Sequence, residues 1–337
     1  MAHDATDPAT TLHRLVTGYQ VSQAIHVAAT LGIADLLADA SHTGDELAAL
    51  TNTHPPTLYR LLRALASVEV LHELDGRRFE LTPLGEPLRS GVPGSMVDLA
   101  AYMGRPYRLQ AWGGLLHSVR TGENAFRHIY GTDVWTYRST RPDESAIFDR
   151  AMTSLSRGAT AALLAAVDFG GFRTVVDVGG GSGALLAAIL AAHSHVQGVL
   201  FDQPHVVSGA TTLLEHAGVA DRCRTVGGSF FESVPEHADA YVLRAVIHDW
   251  DDDASIRILT AVRHALADNG RVLIVEYMIA PPNEGREAKF SDLNMLVGPG
   301  GRERTREEFV ALLEASGLRL ARVIAAGSQS VAEAVRA

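Results

Sequence analysis

Two groups of residues in this chain have types and spacing suited to chemistry. The first is Thr174-Val175-Val176-Asp177-Val178-Gly179-Gly180-Gly181-Ser182-Gly183, where a β-branched apolar run breaks into glycines and an alanine/leucine run follows. The pattern reads as a buried parallel strand, a tight turn and the first turn of a helix. Glycines let the backbone approach a ligand closely, and the helix start offers free N–H groups to a negatively charged part of it. A nucleotide-like cofactor is expected here. Gly179-x-Gly181-x-x-Ala184 also satisfies the dinucleotide fingerprint, so the loop alone leaves a nicotinamide cofactor open. Asp202 ends the next apolar run, Val199-Leu200-Phe201-Asp202, where a carboxylate can accept hydrogen bonds from both ribose hydroxyls. The second group is His248 with Asp249, Asp251, Asp252 and Asp253. An imidazole beside a hydroxyl is a suitable general base. His248 is also one of 15 histidines and could simply cap a helix. The acids suggest a metal site, but Asp251 to Asp253 fit the start of a helix, where acids cap and complement the dipole. No metal is expected.

These residues need a sheet to place them. From Thr174 onward strands and helices alternate, with strands expected over 174–178, 196–201, 223–227, 240–243 and 271–276, and a final pair over 319–324 and 331–335. The alternation predicts an α/β, open, mostly parallel sheet with helices on both faces. Gly327-Ser328-Gln329-Ser330 reads as a hairpin, which makes the last strand antiparallel. In such folds ligands bind beyond the carboxyl ends of the strands, where Gly179, Asp202 and His248 fall.

The first third is different. Residues 12–38 carry apolar residues at helical spacing, a short helix follows over 44–50, and a third over 58–68 starts at Pro55-Pro56. Residues 70–81 read as two strands around Asp75-Gly76. Helix, turn, helix and hairpin is the order of a winged helix. Between Pro55 and Ser90 five basic residues (Arg60, Arg63, Arg77, Arg78, Arg89) meet five acidic ones (Glu69, Glu73, Asp75, Glu80, Glu86). A DNA-facing module should carry a basic surplus, so a packing and dimerisation module is expected, and a DNA-binding regulator is the lesser alternative. Residues 92–121 read as helical, 126–135 as an irregular aromatic stretch and 143–168 as one long helix. The expected division is a dimerisation domain over 1–100, a helical linker contributing to a substrate pocket over 101–172, and a catalytic domain over 173–337.

Composition narrows the function further. The chain has 337 residues, 47% hydrophobic and 20% charged, with a net charge of −10. The charge disfavours nucleic acid and anionic membranes as partners. A single cysteine, Cys223, excludes an intramolecular disulfide and a cysteine metal cluster. Met1 to Thr11 lacks the basic and apolar regions of a secretory signal, and the longest apolar runs are too short to span a bilayer. A cytoplasmic protein is expected.

Five segments taken in order resemble the S-adenosylmethionine-dependent O-methyltransferases of the plant caffeate and isoflavone type and their bacterial natural-product relatives. They are Val176–Gly183, Phe201–Val206, Gly227–Phe231, His248–Asp252 and Gly300–Thr305. The resemblance covers nearly the whole chain, and it implies a Rossmann-like catalytic domain behind a winged-helix dimerisation domain. It implies that Gly179, Gly181 and the neighbouring Asp177 serve the amino-acid part of S-adenosylmethionine, that Asp202 with Gln203 serves the ribose, and that Phe230 packs on the adenine. Ser156 would bind the cofactor carboxylate. Two positions depart from the plant pattern. Ser229 stands where an aspartate usually accepts the adenine amino group, and a hydroxyl accepts more weakly. Arg244 stands where the plant enzymes have lysine.

The implied reaction is an in-line displacement that leaves S-adenosylhomocysteine. A phenol, with a reference pKa of about 10, needs its proton removed, and His248 is the implied base. Glu276 and Glu303 match family acids, and each could accept a hydrogen bond from the imidazole. The acceptor pocket should be apolar and aromatic, with Trp112, Phe126, Phe148, Met152, Met278, Asn294 and Met295 as candidates and Asp249 beside the base. Met152 and Met295 could sandwich a flat ring. The expected function is metal-independent methylation of a small aromatic hydroxyl by a homodimer. N-methylation, hydroxylation or decarboxylation on the same fold remains the alternative.

Overall fold

The Asp7 carboxylate accepts a hydrogen bond from the Thr10 N–H and Pro8 opens the first turn, so helix α1 (Pro8–Thr30) begins with a cap dictated by sequence. The computed structural model describes residues 7–337, the side chains of Ser156 and Arg157 excepted. The chain forms two units. The first runs to Leu109 and takes in Asp143–Leu155, and the second comprises Gln110–Pro142 and Ser156–Ala337. The stretch read as a linker is thus shared between them.

In the first unit the expected helix over 12–38 breaks at Gly32, which adopts a left-handed φ of 67° before α2 (Ile33–Leu36). A two-residue strand, β1 (His42–Thr43), leads into α3 (Gly44–Thr51), which starts with a reciprocal capping box between Thr43 and Glu46. Then come α4 (Pro55–Ala66) and the hairpin β2 (Leu71–Leu74) and β3 (Arg78–Leu81), turned at Gly76 with φ 75°. The three strands pair antiparallel in the order β1-β3-β2. Leu47, Leu58, Leu62, Leu65 and Phe79 fill the core beneath them. Helix α5 (Val97–Met103) packs on α1. Helix α1 also carries Leu12, Leu15, Val16 and Tyr19, exposed to between 60% and 68%. A stripe this apolar and this open is unusual for a surface that faces water alone.

Helix α6 (Pro106–Gly113) spans the boundary at Leu109, and the second unit continues with the short helices α7 (Leu115–Thr121), α8 (Ala125–Tyr130) and α9 (Val134–Ser139). The stretch 126–135, expected to be irregular, is therefore mostly helical. Asn124 and Asp133 cap α8 and α9, and Gly122 and Gly131 end α7 and α8 in left-handed turns. Caps only a few residues apart had hidden the helical period. Helix α10 (Pro142–Ala166) belongs to the first unit up to Leu155 and to the second beyond it.

The alternating part follows: β4 (Thr174–Val178), α11 (Ala184–Ala192), β5 (Gln197–Asp202), α12 (Pro204–Val207), α13 (Thr211–His216), β6 (Cys223–Gly227), β7 (Ala238–Arg244), α14 (Asp252–Ala265) and β8 (Leu266–Glu276). It ends with α15 (Arg286–Val297), α16 (Arg306–Ala315), β9 (Leu318–Ala326) and β10 (Gln329–Arg336). The sheet order is β6-β5-β4-β7-β8-β10-β9. Strands β4 to β8 run parallel, and β10 is antiparallel to both of its neighbours. Apolar clusters fill both faces, one with Tyr241, Leu259 and Phe309 and the other with Leu186, Leu200 and Leu273. The strand order reverses between β4 and β7, so their carboxyl ends open the crevice where this fold binds ligands. Among the described residues no helix is long and apolar enough to cross a membrane.

Leu62 is fully buried in the first unit's core. Leu62→Ala is expected to cost about 2–5 kcal/mol, and Thr43→Ala, which removes a cap, about 1 kcal/mol. Urea unfolding curves would measure both.

Candidate functional site

The glycine loop follows β4. Gly179, Gly181 and Gly183 take φ values of 70°, 59° and 80°, which a side chain would strain. A Cβ on Gly180 would come within 2.5 Å of Leu200 Cδ1 and 2.6 Å of Asp177 Oδ2, whereas at Gly181 it would meet open space. The loop is thus packed from below and open above. Helix α11 then begins after Gly183, which has no side chain to cap it, and within its first turn the Leu186 N–H is met by Asp177. Asp202, at the end of β5, accepts from the Gly181 N–H at 2.9 Å and from the Gln203 N–H at 2.6 Å. Burial pushes its carboxyl above the usual range and those two amides pull it back.

Asp177 is 1% exposed, and its Oδ2 has no hydrogen-bond partner among the described residues. Burial pushes its carboxyl up to about 7, with Asp202 adding and Arg244 opposing. Arg244 Nη1 donates to Thr160 Oγ1 at 2.8 Å, and burial lowers the guanidinium's pKa against the pull of Asp177. Both groups feel burial more than they feel each other. An orphaned acceptor below an open glycine loop is the surrounding expected of a cofactor cradle. Beside it the Phe230 ring meets Phe231 edge-on at 5.0 Å and Trp250 at 6.0 Å. Ser229 Oγ accepts from the Phe231 N–H at 3.4 Å. Ser156 lies on α10, and its side chain is outside the described residues.

His248 sits in a single 3-10 turn, Ile247–Asp249, after β7. Its Nδ1 lies 2.8 Å from Glu303 Oε1, which also accepts from Ser291 Oγ at 2.7 Å. The Glu303 N–H in turn donates to Asp292 Oδ1 at 3.0 Å. Glu276, expected to reach the imidazole, instead accepts from the backbone N–H groups of Val246 and His248 at 3.2 and 3.0 Å. It ends β8, and its carboxylate closes the turn that carries His248 instead of hydrogen-bonding the ring. Asp249 Oδ1 stands 3.7 Å from His248 Nε2.

Electrostatics here is set by burial and by the number of acids. Burial opposes a charge on His248, but Asp249, Glu303 and Glu276 outweigh it and push the imidazole up to about 10. Burial pushes Glu276 up to about 7, with Glu303 adding and His248 opposing. It pushes Asp249 up to about 6 against the pull of His248 and Arg138. Ligand atoms of His248, Glu276 and Glu303 come within 4.8 Å of one another, a spacing a metal ion could use. Oε1 of each carboxylate is held by protein groups, and Oε2 of each is buried without a hydrogen-bond partner among the described residues.

Two structural residues carried no expectation of their own. Arg304 is 1% exposed. It donates to Asp252 Oδ1 at 3.0 and 2.7 Å, to the carbonyls of Ile247 and Trp250 at 3.2 and 3.0 Å, and to Ser255 Oγ at 3.2 Å. It ties the His248 turn to the start of α14, whose N-cap is Asp251. Gly301 is the second. A Cβ there would lie 2.1 Å from the His248 carbonyl oxygen, which accepts from the Arg302 N–H at 2.8 Å. The Gly300–Thr305 segment contained both, but spacing alone did not reveal contacts made across the fold.

The acceptor candidates divide. Trp112 Nε1 donates to Asn294 Oδ1 at 3.3 Å, and Met295 is buried on the same helix as Asn294. Met278 follows β8 and bridges to Arg304. Phe126 is 1% exposed and packs with Tyr130 and Tyr137, which makes it core. Phe148 and Met152 belong to the first unit, where Phe148 meets Tyr102 edge-on at 5.5 Å.

Gly301→Ala is expected to push the His248 turn aside and to lower turnover about tenfold or more with an unchanged far-UV CD spectrum. Wild-type turnover would show that the close approach can relax freely.

Residues 112–319 match the O-methyltransferase domain and residues 13–90 the O-methyltransferase dimerisation domain. Phenazine O-methyltransferase PhzM of Lysobacter antibioticus is 44% identical over 96% of this chain and 95% of its own length. The mitomycin biosynthesis 6-O-methyltransferase of Streptomyces lavendulae is 39% identical, over 95% of this chain and 92% of its own. The crystal structure of LaPhzM matches with a TM-score of 0.95 at 43% identity, covering 98% of this chain and 100% of that one. The sheet, the glycine loop and the matched domains agree: this chain belongs to the O-methyltransferase family, with that family's dimerisation domain at its N-terminal end.

Proposed function

We propose that this protein is a cytoplasmic homodimer that transfers a methyl group from S-adenosylmethionine to a hydroxyl of a small aromatic natural product, with His248 as the base. The observation that carries the reading is the Glu303–His248 pair. With Nδ1 held by a carboxylate at 2.8 Å, Nε2 is the ring atom left to take a proton. S-adenosylmethionine, when bound, supplies a methyl group already activated as a sulfonium. The loop Gly179–Gly183 and Asp177 would hold its amino-acid part, Asp202 and Gln203 its ribose, and Phe230 with Ser229 its adenine. Arg244 balances Asp177 beneath the loop. Trp112, Asn294, Met278 and Met295 would line the acceptor pocket.

The chain's own residues then have distinct tasks. His248 Nε2 accepts the hydroxyl proton, and Glu303 stabilises the imidazolium that results. Glu276 fixes the backbone of the turn, so that the ring cannot retreat. An imidazole held near 10 matches the reference pKa of a phenol, about 10, so the proton moves between the two at little cost. A family of phenazine and mitomycin O-methyltransferases makes a fused, electron-poor hydroxyl the acceptor class to test first. The exposed stripe of Leu12, Leu15, Val16 and Tyr19 supplies the apolar surface that a dimer would cover.

His248→Ala is expected to leave S-adenosylhomocysteine binding within about twofold and to lower kcat by about 10²–10⁴. Full activity would remove His248 from the base role. A methyl-transfer screen over phenols and aromatic amines with mass detection would separate oxygen from nitrogen acceptors. EDTA should leave turnover unchanged, and inhibition reversed by magnesium would overturn the metal-free reading.

The pH profile has a definite sign. A ring held up at about 10 carries its proton at neutral pH, so the free base grows as pH rises. The expected kcat/KM climbs through the alkaline range, and Glu303→Gln, which removes one stabilising carboxylate, moves that limb to lower pH. A flat profile would contradict the assignment. Leu15→Glu should convert dimer to monomer in size-exclusion chromatography with light scattering.

A further inference from the structure

We propose that His117, Glu123 and His128 form a binding site for a divalent transition-metal ion of the zinc class, separate from the methyl-transfer residues. All three lie in the second unit, on α7, on the turn after it and on α8. The imidazoles stack with centroids 3.6 Å apart and planes 15° from parallel. His117 Nε2 stands 2.9 Å from Glu123 Oε2, and one ligand atom from each of the three residues falls within 4.8 Å of the others. Two imidazoles and a carboxylate are the donor set that open zinc sites use, with water in the fourth place. Magnesium and calcium prefer all-oxygen surroundings and would be poor occupants.

The site is held by groups other than its ligands. Gly122 closes α7 with φ 78° and donates to the Ser118 carbonyl at 2.8 Å. Asn124 caps α8 through the Arg127 N–H, and its Nδ2 donates to the carbonyls of Leu296 and Gly298 at 2.7 and 3.0 Å. The turn carrying Glu123 is therefore fixed at both ends. An open cleft of about 690 Å³, lined by His117 and His128 among others, leaves room for the remaining water ligands.

Calorimetric titration of untagged protein with zinc sulfate tests the site, with magnesium chloride as control. The wild type should bind one zinc ion per chain, His117→Gln and His128→Gln should each weaken binding about tenfold or more, and magnesium should give no heat. Turnover without added metal should stay at wild-type level in both variants, which also reports that they fold. No zinc binding by the wild type would overturn the proposal. So would binding that survives in both variants but is lost in His248→Ala, since the ion would then occupy the buried cluster.

Discussion

A single buried guanidinium holds the catalytic edge of the sheet together. Arg304 is 1% exposed, and a cation so far from water is costly unless its donors are satisfied. They are satisfied by the carbonyls of Ile247 and Trp250 on either side of the His248 turn and by Asp252 and Ser255 at the start of α14. The planar fork of an arginine can meet partners in several directions at once, which a lysine could not. Because Arg304 follows Glu303 directly, the segment that carries the carboxylate for Nδ1 is the same one that clamps the backbone of the His248 turn. Ring and carboxylate cannot drift apart without breaking that clamp.

Around this clamp the protein tolerates charges that burial opposes. Asp177, Asp249 and Glu276 are all pushed up by desolvation, to about 7, 6 and 7. Perturbed groups of this kind cluster at functional sites and in structural ion-pair networks alike. The rest of the catalytic unit is conventional, with an apolar sheet packed on both faces, and that core supplies the stability the crevice lacks.

Much of this was legible in the residues. The alternation of strands and helices, the hairpin at Asp75-Gly76 and the glycine loop all have local signals, and the structure reproduces them. The pairing of His248 with Glu303 was readable only through the resemblance, since 55 residues separate them in the chain. Glu276 was harder: its position at a strand end gave its neighbourhood, but whether it met the ring or the backbone depended on the curl of the Ile247–Asp249 turn. The helices within 125–139 escaped notice because each is six residues long, less than two full turns of periodic signal. The contacts of Arg304 and Gly301 involve no local pattern at all.

The insertion of β10 between β8 and β9 has a consequence for how the chain is made. Glu276 at the end of β8 pairs with Ser330, so during vectorial synthesis the strand bearing it leaves the ribosome well ahead of its neighbour. In that interval one edge of β8, with its run Val272-Leu273-Ile274-Val275, has open backbone groups of the kind that recruit foreign strands. The C-terminal hairpin thus acts as the closing stitch of the sheet. Glu276 gains its strand partner Ser330 only when β10 slides into place.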